Sequence, residues 1–278
     1  MASRLSDVGF RIEAPAVLAL AEDTCRFGEQ IAVHGGRYCY WAVGEGVELW
    51  VARNPRGQFV GLAPHFSGAA RMRMGLTARL ASPGGPTAGV AARLLTRVVT
   101  GKPIRPTPAL AGCFHAWADP SGEDPESGAY PLVFDAPDFA THAGLLVPGI
   151  VTVQVAAFAQ ELRVFADDAA YDAEPRDGLR MAAESLIPSG LFAFDEEDPA
   201  EPRPVALLGG HVLAAEQRVN PATRQPFWWA HVRTFGGEVD IVADPDLVNA
   251  PMEAGGIVQG EFWLSGRIIR EAAIEPPP

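Results

Sequence analysis

The chain has 278 residues, 48% of them hydrophobic and 20% charged, and 34 acidic against 22 basic residues give a formal net charge of -12. That length suits one large domain or two ordinary ones, and the composition excludes disordered and fibrous classes. The acidic balance repels phosphate backbones, which argues against nucleic acid and for a basic partner. No apolar run reaches the roughly 18 residues of a membrane helix, and "APAVLALAED" has no basic flank, so the expectation is a soluble chain without a signal peptide or a membrane partner.

In chain order, residues 1–36 read as an N-terminal strap containing a short helix over 11–22, with Pro15 near its start. Aromatic and β-branched runs separated by "GEG", "NPRG" and "SG" predict four antiparallel strands near 37–43, 47–53, 58–63 and 70–80. Apolar residues at 90, 91, 94, 95, 98 and 99 predict a helix near 88–100, ended by Gly101 and Pro103. "GCFHAWA" and "YPLVFD" predict two strands around a polar loop. "GIVTVQVAAFAQELRVFA" follows as a long bent strand, with a helix over 156–165 as the alternative. Asp167 or Asp168 is placed to cap a short helix.

The acidic, proline-rich segment 194–204 is the expected boundary between an antiparallel β-rich domain over 37–194 and a second unit over 204–272. Strands at 205–217, 227–234, 238–243 and 256–269, with glycine kinks, predict a small OB-like β-barrel, so the fold class is mainly β. "AAESLIPSGLF", "NPATRQPFWWAHVRTFGGEVDIVADP" and "GGIVQGEFWLSGRI" resemble an uncharacterised bacterial protein family over about residues 37–270. The resemblance implies a bacterial source and transfers no activity.

In "FWWAHVRTFGGEVDIVA", alternation sends Trp228 and Trp229 to opposite faces of one strand. A turn at Gly236-Gly237 pairs Thr234 with Val239 and Arg233 with Asp240. Trp228, Ala230, Val232, Val239 and Ile241 then form an inner face. Trp229, His231, Arg233 and Asp240 form an outer one, where Trp229 is a candidate stacking platform for a ligand or partner. The plainer reading is that the upstream domain covers Trp229, because tryptophan is mostly buried.

Candidate chemistry is sparse. His65, at a strand end, is a candidate general base. Asp135, Asp138 and His142 carry donors close enough in sequence for a divalent ion, although turn-forming is the ordinary role of such aspartates. Ser189 with Glu184 lacks a nucleophile elbow. His115 lies between aromatics, His211 has no evident partner, and Lys102 is the only lysine. Three cysteines, Cys25, Cys39 and Cys113, without CxxC spacing, predict reduced thiols and a cytoplasmic location. No cofactor motif is present. The expectation is a binding or protein-interaction module for a basic protein partner, or a homo-oligomer. A hydrolase-like enzyme with a His/Asp site between the two β-rich parts is the alternative.

Overall fold

The computed structural model describes residues 4–11, 13, 15–81, 110–174, 181–191 and 202–269. The expected helix near 88–100, Lys102 and most of the 194–204 boundary lie outside the described residues.

Helix α1, Ala16–Phe27, begins beyond Pro15 and ends where the Gly28 amide bonds the Thr24 carbonyl. It starts later than the expected 11–22. Four antiparallel strands follow: β1 (Glu29–Val33), β2 (Gly36–Gly44), β3 (Val47–Arg53) and β4 (Phe59–Phe66), in that order in one sheet. β1 is an addition to the sequence reading, and the expected fourth strand does not join this meander.

That fourth strand, β5 (Met72–Ala81), begins a second sheet with β6 (Gly112–Ala118), β7 (Tyr130–Asp135), β8 (Gly149–Phe165), β9 (Ser185–Ile187), β10 (Val205–Val219), β11 (Pro226–Thr234), β12 (Gly237–Ala243) and β13 (Ile257–Ile269). Helix α2, Asp168–Ala173, is capped by Asp167, whose Oδ1 accepts from the Ala170 amide at 2.7 Å. The long-strand reading of 149–165 holds over its whole length. Val153, Val155 and Ala157 face one core, while Ala156 and Phe158 face another.

β8 and β13 organise the second sheet. They pair antiparallel from Ile257 with Phe165 to Ile269 with Thr152. The other edge of β8 carries β5 near its start and β12, in parallel, over Ala156–Phe158. The pairings β10–β11, β11–β12, β12–β8, β8–β13 and β13–β10 thus return on themselves. The ladders also span the 194–204 segment, since β9 pairs with β10.

The first sheet and α1 lie over this circuit. Leu49, Val51, Leu62 and Phe66 share a core with Val17 and Leu20 of α1 and with Phe158, Phe227, Val242 and Trp263 of the second sheet. The other core of the second sheet holds Met72, Met74, Phe114, Phe134, Val232, Ile241 and Phe262. Both sides of the central strands are therefore packed.

One expectation about covalent chemistry is overturned. Cys25 of α1 and Cys39 of β2 form a disulfide, and Cys113 is buried elsewhere. The odd cysteine count and the absence of a CxxC pair concealed it, because the fold, not the spacing, brings α1 onto β2.

Candidate functional site

The β11–β12 hairpin turns one residue earlier than a double-glycine loop requires. Thr234 pairs with Gly237, Arg233 with Glu238 and His231 with Asp240. The loop is Phe235-Gly236, and Gly236 takes the positive φ of 82°. Each residue's partner moves by two positions, so the faces survive, as period-2 alternation demands. Trp228 packs against the inner core and Trp229 against the core shared with the first sheet.

The outer face around Trp229 is covered by upstream residues, as the plainer reading of that tryptophan expected, and is not an open stacking platform. Arg218 of β10 lies 4.1 Å over the Trp229 ring, and Phe66 stands 6.4 Å away. Asp240 is completely buried. Its oxygens accept from the Ala69 and Ala70 amides at 3.1 and 2.8 Å, from Gln154 Nε2 at 2.9 Å and from Trp229 Nε1 at 2.9 Å. Four donors replace the water that a buried carboxylate loses. Gly68 makes room for this carboxylate, since a Cβ there would stand 2.1 Å from Asp240 Cγ.

From Asp240 the bonds continue inward. Gln154 spends its amide nitrogen on Asp240, so its Oε1 faces His65 Nε2 at 2.7 Å, and His65 Nδ1 lies 2.8 Å from Ser265 Oγ. A neutral ring with the proton on Nε2 satisfies this chain: Nε2–H donates to Gln154 and Nδ1 accepts from the Ser265 hydroxyl. Burial lowers the His65 pKa, favouring that neutral form. His65 therefore ends inside the protein rather than at a cleft.

Asp135, Asp138 and His142 are also buried, and each carboxylate stands beside an arginine, the one near Asp138 being shared with Glu48. Asp135 faces Arg4 at 3.3 Å, and burial pushes its pKa up to about 6. His142 Nε2 lies 3.2 Å from Asp138 Oδ1, within ion-pair range but without the alignment of a hydrogen bond, and Arg267 Nε stands 3.7 Å from Asp138 Oδ2. Arg267 Nη1 also bonds both oxygens of Glu48, at 2.8 and 3.0 Å. Among the described residues, no three His, Cys, Asp or Glu side chains are grouped to share a metal ion.

The accessible polar cluster lies at the rim. His211 bonds Glu184 at 2.9 Å and Asp168 at 3.1 Å, while Arg233 Nε donates to Glu184 at 2.8 Å. Partial burial opposes charge on His211, but its two carboxylate partners outweigh it and raise the pKa. His231 pairs with Glu238 at 2.9 Å. Ser189 is not part of this group, and its Oγ is buried without a hydrogen-bond partner among the described residues. His115 bonds Thr77 Oγ1 at 2.7 Å.

Sequence reasoning missed the open groove, about 530 Å³ in volume, between α1, β2 and the 220–225 loop. Ala16, Ala19, Leu20, Asp23 and Phe27 of α1 form one wall, at helical spacing, and Phe10 and Trp41 face them. That spacing was the available signal, but the expected helix ended at residue 22, short of Asp23 and Phe27. No protein-family model, curated protein or solved structure matches the chain.

Proposed function

We propose that this protein, from the uncharacterised bacterial family its motifs resemble, is a binding module for a basic protein partner. The carrying observation is the placement of its reactive groups. His65, Asp135, Asp138 and His142 are buried and engaged, and none lines the open groove. A hydrolase using these groups would need them at an accessible cleft.

The partner surface in this reading is the rim formed by Asp168, Glu184, Arg233, His231 and Glu238, with Trp229 and Asp240 behind it as support. The net charge of -12 steers a basic partner towards such a surface. The five-strand circuit is then an OB-like barrel closed by β8 from upstream, its outer face covered by the first sheet. Among the described residues no helix is long and apolar enough to cross a membrane. The cytoplasmic reading rested on reduced thiols and loses that support, because disulfides such as Cys25–Cys39 persist in oxidising surroundings.

The test is affinity capture from a bacterial lysate, then titration of the captured protein against purified chain at rising salt. One basic partner, weakened by salt and by charge reversal at Glu184 and Glu238, is expected. Salt-independent binding, or self-association alone, overturns the basic-partner reading.

A further inference from the structure

The groove along α1 differs from the buried clusters in having a carboxylate, Asp23, with neither a hydrogen-bond donor nor a cation against it among the described residues. Leu20, Phe27, Phe10 and Trp41 make it mainly apolar and aromatic, with Phe27 and Trp41 centroids 5.4 Å apart. Asp23 is the single charged residue among the described residues of its lining, and no described residue gives it a hydrogen bond or an ion pair. Arg26, the nearest basic residue in sequence, lies over the Phe27 ring at 5.3 Å and is not part of the lining.

We propose that this groove binds a small organic ammonium ion with an apolar body, its charge against Asp23 and its body against Leu20, Phe27 and Trp41. An anion meets Asp23 and the protein's negative field. A neutral apolar molecule of the same shape strips water from the Asp23 carboxylate and returns no partner, which is costly. An ammonium group repays that loss with a charge-assisted hydrogen bond, and the negative ring faces add cation–π attraction. The volume lies within the roughly 300–1,000 Å³ typical of small-molecule sites.

The walls are held in advance. Cys25–Cys39 ties α1 to β2 two residues from Phe27 and two from Trp41. The third wall is fixed by bonds from Asn220 Nδ2 to the Val8 carbonyl at 2.7 Å and from Thr223 Oγ1 to the Gly9 carbonyl at 2.6 Å. A site whose parts are already ordered spends less binding energy on ordering them. This site is separate from the partner rim and stands without it.

Calorimetric titration of the full, oxidised chain with phenethylammonium, phenethyl alcohol and phenylpropionate tests the assignment. The ammonium ion is expected to bind at least about tenfold more tightly than the other two, a ratio set by one charged hydrogen bond. Asp23→Asn should bring its affinity down to that of the alcohol. Ala19→Trp, at an exposed helix position that fills the groove, should abolish binding, with an unchanged melting temperature showing that the fold persists. Equal affinity for the three probes, full affinity in Asp23→Asn, or no binding of the ammonium ion to the unaltered chain overturns the proposal.

Discussion

Gln154 donates from Nε2 to Asp240 Oδ2 over 2.9 Å, and this bond decides which nitrogen of His65 carries the proton. Nitrogen NMR should find His65 as the Nε2–H tautomer. Burial lowers its folded pKa, so the neutral ring contributes stability that is intact above the unfolded value near 6.5 and declines as pH falls below it. Gln154→Met should abolish the tautomer preference. Asp240→Ala should cost about 3 kcal/mol or more, because it leaves several buried donors unpaired.

Asp135 has the opposite pH signature. Burial raises its pKa from 3.8 to about 6, so its contribution is fully present below about pH 4 and is lost as pH rises through 6. The loss approaches about 3 kcal/mol, at 1.36 kcal/mol per pKa unit. Urea denaturation of Asp135→Asn should lack that change between pH 4 and 6. An unaltered profile would place the titration elsewhere.

The disulfide predicts a thiol count. In denaturant without reductant the chain should show one reactive thiol, from Cys113, and three after reduction. Cys39→Ser should lower stability by about 3 kcal/mol, the loop-closure expectation for a cross-link of this span. It should also weaken ammonium binding in the groove, whose two walls it unties.

The two indoles should respond differently to loss of their N–H. Trp229→Phe keeps a ring under Arg218 but removes a donor to buried Asp240, at a cost of about 1–3 kcal/mol. Trp228→Phe removes mainly packing and should cost less. Equal losses in chemical denaturation would contradict the separate environments of the pair.

Local pattern made most strands legible. β2, β3, β10 and β11 lie within a few residues of their expected ranges, because alternation and turn chemistry are written locally. The faces of β11 and β12 were legible for the same reason, whereas their register was not: two adjacent glycines permit either turn, and the observed one places Gly236 against Tyr130, which donates to the Phe235 carbonyl, a non-local contact. Short β1, "EQIAV", has too little apolar contrast to stand out. What stayed hidden was non-local. Nothing near Asp240 announces that Gln154, Ala69 and Ala70 will meet it, and nothing near His65 announces Ser265, 200 positions away. The coverage of Trp229 could be anticipated from the usual burial of tryptophan, whereas the groups that meet Asp240 beneath it could not.

The β8–β13 ladder carries a kinetic consequence. Strand β13 also borders β7 and β10, so three earlier segments wait for it with unfilled backbone edges. A growing chain cannot complete this core until β13 leaves the ribosome, and contacts that distant in sequence are slow to form. Newborn molecules should lean on a chaperone during that interval, and removal of β13 should yield aggregates rather than a smaller folded protein.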